Sequence, residues 1–176
     1  MSTRSLDGPP LGPGALADRL VDLPVVIETV DVEIGGAVLQ GYDEELPRPT
    51  AIVSLRGRGR AGRGECVAWT LAEQERFAGV CPGLVPISGQ TMGALHDALA
   101  DAEPYHAAAI EAAAIDLGLG QASTNLFALS ERPARPVTFC RSLGRWSVAK
   151  AGGPSRAVQS ALAVEPWAHI KIDVDP

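Results

Sequence analysis

Lysine is almost missing from this chain: Lys150 and Lys171 are the only two, and every other basic side chain is arginine. Cysteine is scarce too. Cys66, Cys81 and Cys140 are odd in number and far apart, which excludes a disulfide framework or a zinc knuckle read from spacing. A reducing cytoplasm is the expected compartment. No apolar run approaches the length of a membrane span, so no membrane role is expected. The start of the chain lacks the apolar core of a signal peptide and is rich in proline and glycine instead. Histidine occurs at 96, 106 and 169, each isolated from the others and from the cysteines, so no metal site is read from them. His96 and His106 are expected on helix surfaces. The net charge of −6 argues against bulk nucleic-acid binding by steering.

What is present is a substantial core, since 46% of the residues are apolar. Val25–Ile34, whose apolar and polar residues alternate from Ile27, predicts a half-buried strand broken by Gly35-Gly36. The stretch Gly35 to Pro49 reads as a loop. Strands are predicted at Thr50–Leu55 and Gly64–Trp69, with a turn at Gly57-Arg-Gly-Arg-Ala-Gly62. The pattern then becomes helical. Thr70 and Glu73 form a capping-box signature, Thr91 suits a second helix start, and Pro104 suits the first turn of a third. That third helix runs Tyr105–Leu117, with Ile110, Ala113, Ala114 and Leu117 on one face and Gly118 and Gly120 at its end.

After Glu131-Arg-Pro-Ala-Arg-Pro136 the pattern changes again. A strand at Val137–Ser142, a short helix from Ser155 to Leu162 and a strand at His169–Val174 predict one βαβ unit with parallel strands. The expected organisation is a flexible tail over 1–20, an α+β domain over 21–132 made of a three-stranded antiparallel sheet plus helices, and a strand–helix–strand piece over 133–176.

Two glycine-and-arginine patterns have a structural reading beside the functional one. Gly57-x-Gly59-x-x-Gly62 matches a dinucleotide fingerprint, but that chemistry needs a helix to open at the glycines, and a strand follows here. The arginines of Arg56–Gly64 look like an RNA-binding segment, but no aromatics interleave with them. A hairpin turn explains both patterns. At His169-Ile-Lys-Ile-Asp-Val174 the polar positions 169, 171 and 173 share one strand face. In a parallel barrel that face points inward. A lysine there, in a chain that otherwise writes arginine, suits a base, because its proton can be lost near neutral pH when its pKa is depressed.

Four segments in series are similar to the enolase superfamily. Gly62-Arg-Gly-Glu-Cys-Val-Ala68 resembles the segment after the second strand of its capping domain, and Ala109–Leu117 resembles its Ala-Ile-Glu-x-Ala-x-x-Asp-Leu helix. Val137–Gly144 looks like the first barrel strand. His169-Ile-Lys171 sits where the muconate-lactonizing-enzyme subgroup has Lys-x-Lys. Details lean toward the o-succinylbenzoate synthase, N-acylamino-acid racemase or dipeptide epimerase branch. The resemblance implies a capping domain followed by the first βαβ unit of an incomplete TIM-like barrel. It implies an enzyme, a lyase or isomerase, in which Mg²⁺ stabilises the enediolate formed when a lysine removes the proton alpha to a carboxylate. Lys171 matches the base, and His169 stands in place of the lysine that would modulate it. The loop Gly35 to Pro49 would bind substrate. Glu111 and Asp116 would tie their helix to its neighbours.

The resemblance covers residues 25–176 and leaves the metal-bearing strands unmatched. No metal ligands are therefore expected within this chain, and Mg²⁺ is expected only for the full-length enzyme. The expected partners are a small carboxylate substrate once the enzyme is completed, and self-association or a complementary barrel fragment, with no nucleic acid. The alternatives are a non-catalytic scaffold that binds a protein through its barrel strands, and arginine-mediated RNA binding.

Overall fold

The computed structural model describes residues 15–39, 46–131, 140–146, 159, 163 and 169–174. The chain divides into two compact units, one of Met1–Gly35 with Thr50–Pro133, the other of Gly36–Pro49 with Ala134–Pro176.

The first unit opens with helix α1, Ala15–Val21. The end of the expected tail is thus a folded element. The Arg19 guanidinium holds it, donating to the Leu129 carbonyl and, at 2.9 Å, to Glu131 Oε1. Strand β1, Pro24–Val26, pairs antiparallel with the short β5, Gly89–Thr91. The single strand predicted over Val25–Ile34 is therefore two. At Ile27 and Glu28 the chain leaves β1: Ile27 N–H donates to Ser88 and Glu28 N–H to Arg56.

Strand β2, Thr29–Leu39, β3, Leu46–Gly57, and β4, Arg60–Cys66, form a sheet in the order β2-β3-β4. β2 runs through Gly35-Gly36 instead of stopping there, and β3 begins at Leu46 despite Pro47 and Pro49. The pairing of β3 with β4 starts only at Ala51 opposite Cys66. The two prolines thus fall where no β4 partner asks for a backbone N–H. The β3–β4 hairpin turns on Arg58 and Gly59, both left-handed (φ 49° and 69°), the conformation a two-residue hairpin needs to match strand twist. β4 then ends at Cys66, short of the predicted Trp69.

Helix α2, Leu71–Leu84, starts with the expected capping box. Glu73 N–H donates to Thr70 Oγ1 at 3.2 Å, and Thr70 N–H to Glu73 Oε2 at 2.9 Å. α3, Met92–Ala98, is capped by Thr91. α4, Pro104–Gln121, has proline in its first turn and the Glu103 carboxylate accepting from the N–H groups of Tyr105 and His106. It passes through Gly118 and Gly120, because Leu23 packs against Gly118 and Gln121 anchors the last turn. α5, Leu126–Leu129, is capped by Asn125.

The core lies between the sheet and α4. Val53, Leu55, Cys66, Phe77, Leu95, Ile110, Ala113, Ala114 and Leu117 are all fully buried. α4 rests its backbone on β4. A Cβ on Gly62 would stand 2.2 Å from Ala113 O, and one on Gly64 2.0 Å from Ala109 O. Alanines on the helix and glycines on the strand together permit that approach.

In the second unit, β6, Cys140–Trp146, pairs parallel with β7, His169–Val174. β6 includes Cys140–Ser142 of the strand predicted at 137–142, whose residues 137–139 lie outside the described residues, and continues to Trp146. Of the helix predicted between them, Gln159 and Ala163 are described, both helical.

Candidate functional site

Strand β7 carries both sequence-derived site residues. His169 stands opposite Cys140 of β6, Lys171 opposite Ser142 and Asp173 opposite Arg145, with an irregularity of register between Ser142 and Arg145. His169, Lys171 and Asp173 are thus alternate residues of one parallel-paired strand. The suspected loop Gly35 to Pro49 is shorter than its sequence suggested. Gly35 and Gly36 belong to β2 and Leu46–Pro49 to β3, so the connection is 40–45, outside the described residues.

The other candidates from the sequence have structural positions. Glu111 Oε1 lies 2.6 Å from His96 Nδ1, joining α4 to α3, and Asp116 Oδ2 accepts from Arg63 N–H at 3.0 Å, joining α4 to β4. The bonded carboxylate raises the pKa of His96 above the usual histidine value. His96 is exposed as expected. His106 is not: it is buried, with its ring centroid 4.8 Å from that of Phe77. It sits on the α4 face turned toward α2, where an imidazole serves as a flat packing surface.

Cys66 and Cys81 are buried thiols. Burial raises the pKa of Cys66 and pushes Cys81 up to about 12, so neither is a nucleophile near neutral pH. Gly57, Gly59 and Gly62 lead into β4 and not into a helix, which removes the amide cradle a dinucleotide would need. Among the described residues no three His, Cys, Asp or Glu side chains gather as a metal ion requires. None of the described helices is long and apolar enough to cross a membrane.

Two features were not read from the sequence. Gln74 and Gln121 act as clamps. The Gln74 amide accepts from Ala51 N–H and donates to Cys66 O and Ala68 O; that of Gln121 accepts from Val26 N–H and donates to Val26 O and Gly57 O. Their signal was a long polar residue on the inward face of an apolar helix. The other feature is an exposed apolar run just beyond β4, Val67, Trp69 and Leu71, with Trp69 58% exposed. Its signal is large apolar residues at alternate positions after a strand end; Val67 and Trp69 fall inside the strand predicted to Trp69, and Leu71 opens α2.

A family described as "Domain of unknown function (DUF8230) N-terminal domain" matches residues 18–129. The chain belongs to this family. No curated protein matches it. Among solved structures it is similar to an L-Ala-D/L-Glu epimerase, with a TM-score of 0.55 and 20% identity, over 84% of this chain and 46% of that one. At that identity the likeness shows the fold alone, and the chain spans less than half the length of the epimerase.

Proposed function

We propose that this chain is the N-terminal part of an enolase-superfamily enzyme that removes a proton alpha to a carboxylate, as a synthase, racemase or epimerase. The supporting observation is the fold shared with an epimerase, together with a lysine at alternate spacing on a parallel-paired strand. On this reading residues 21–132 are the capping domain and 133–176 the first strand–helix–strand of a barrel. Lys171 is the base, His169 tunes it, and the segment Gly35 to Pro49 meets the substrate. A neutral neighbour at 169 depresses the lysine pKa less than a second lysine would. The proposed setting is the cytoplasm, with a small carboxylate substrate and no nucleic acid.

The Mg²⁺ that the enolase resemblance implies does not fit the described residues, which hold no matching donor set. No step is therefore routed through an ion bound there, and the metal is assigned to the completed enzyme. A base alone is insufficient for this chemistry, because the carbanion must be stabilised electrostatically as it forms. Residues 1–176 alone are therefore expected to leave the alpha proton in place. Exchange is expected when a fragment supplying later barrel strands is added, and Lys171→Ala should abolish it. The assay is deuterium incorporation from solvent into dipeptides and N-succinyl amino acids, with and without that fragment. Metal-dependent exchange by the lone chain would refute the reading, as would a restored enzyme indifferent to loss of Lys171.

A second reading, a non-catalytic scaffold that binds a protein through its barrel strands, is favoured by one observation. β6 and β7 form a two-stranded parallel sheet among the described residues, and parallel sheets are ordinarily paired further and covered on both faces.

A further inference from the structure

Charge is segregated along the first unit. Arg56, Arg58, Arg60 and Arg63 fall within eight residues around the β3–β4 turn, and no acidic residue occurs between Leu46 and Gly64. All four arginines are exposed, and among the described residues none is ion-paired. From Phe77 to Glu131 the pattern reverses, with six acidic residues and no lysine or arginine.

The fold sets the arginine turn and the acidic residues Asp97, Asp101 and Glu103 at opposite ends of one rigid element, while Asp116 of the same stretch stays beside the hairpin, accepting from Arg63 N–H. Gln121, the last residue of α4, donates to Gly57 O at 3.0 Å, so the arginine turn lies by the C-terminal end of that helix. Asp97, Asp101 and Glu103 lead into its N-terminal end, and all three are exposed. The helix has 18 residues, which puts the two ends about 27 Å apart. Cations near a helix C-terminus and anions near its N-terminus also agree with the helix dipole, so the arrangement costs nothing locally.

The hairpin tip is held stiffly. Its register is continuous from Gly57–Arg60 back to Ala51–Cys66, and Gln121 braces its base. A stiff cationic tip is complementary to an anionic surface, and the acidic Asp97–Glu103 segment lies on the same unit at the far end of α4. One molecule cannot join the two. A second copy can.

We propose that the arginine hairpin is a docking surface for the acidic Asp97–Glu103 end of another copy of this chain. The contact is heterologous, tip to opposite end, and repeats from copy to copy. It differs from association through the β6–β7 edges, which is apolar and backbone-mediated and would not weaken with salt.

The test is sedimentation velocity of the full chain at about 10 mM and about 1 M salt, where the screening length is about 30 Å and about 3 Å. A weight-average mass of about two chains or more is expected at low salt and one chain at high salt. Arg58→Glu with Arg60→Glu should be monomeric at low salt, and so should Asp97→Arg with Asp101→Arg. Mixing those two double variants should restore association, since each tip then meets an opposite end. A wild-type mass indifferent to salt would overturn the proposal even if the variants fail to fold. A mixture that stays monomeric would overturn it too. So would a wild type that stays monomeric while its hairpin binds a fluorescent RNA oligonucleotide.

Discussion

Replacing Gly64 by alanine adds one methyl group at one of the tightest backbone approaches among the described residues. That Cβ would lie 2.0 Å from the Ala109 carbonyl oxygen and 2.9 Å from Ala113 N, both backbone atoms of α4. No rotamer change relieves a clash with backbone. Either β4 or α4 must move, by roughly 1.4 Å to reach ordinary contact with Ala109 O. A radial gap of about 0.5–1 Å already forfeits a quarter to a half of the dispersion well. The side chains that would feel the gap are Ala109, Ile110, Ala113, Ala114 and Leu117, all fully buried. A loss of about 2–3 kcal/mol, the upper part of the range for overpacking, is expected, a large share of the about 5–15 kcal/mol that stabilises a typical domain.

Gly120→Ala is the matched control. It lies on α4, the helix that Gly64 of β4 abuts, and a Cβ there meets nothing within 4 Å. Alanine is the better helix former, so a gain of about 0.5–1 kcal/mol is expected. Urea unfolding of both variants, followed by far-ultraviolet circular dichroism, separates backbone contact from helix propensity. If Gly64→Ala unfolds within about 1 kcal/mol of wild type, the reasoning from backbone approach is wrong.

Gln74→Leu keeps the bulk but strands Ala51 N–H and the carbonyls of Cys66 and Ala68. A loss of about 2–4 kcal/mol in urea unfolding is expected, and one below about 1 kcal/mol would count against the clamp. Thr70→Ala should cost about 1 kcal/mol by the same measurement through the lost cap, and no change would contradict the capping box. Glu111 holds His96 protonated to higher pH. The pair's contribution is therefore complete below the ordinary histidine range and fades as pH rises through the raised value. Proton NMR titration of Glu111→Gln should move the His96 pKa down, and an unchanged value would show that the contact is not kept in solution.

The candidate site was legible only as far as one strand. Alternation at His169–Val174 was enough to predict the strand, and its parallel pairing followed from the βαβ pattern. The lysine stood out because the chain is so poor in lysine. Its proposed chemistry depends on groups that other strands would bring, and no local pattern encodes those. The loop was misjudged for a different reason. Glycine and proline are punctuation in most sequences, yet Gly35-Gly36 and Pro47 and Pro49 all sit inside strands. Local breaker signals lose to cross-strand pairing wherever the broken hydrogen bond was not needed.

The helices were read more faithfully, because caps act through atoms three residues away. Thr70, Thr91 and Pro104 each open the helix they announce. The end of α4 was misplaced, since Gly118 and Gly120 look like a stop when the helix is considered alone. In the fold, Gly118 is a contact point for Leu23, and Gln121 ties the final turn to Val26 and Gly57. The same logic explains Gly62 and Gly64 on β4. In a strand glycine weakens the local structure, so two of them at alternate positions on a core face make sense only if something must come close. The alanine-rich face of α4 is the matching half of that inference. Small residues at 62 and 64 and at 109, 113 and 114 are complementary surfaces, written about fifty positions apart. Each half alone reads as a weakness, and together they specify which helix lies on which strand.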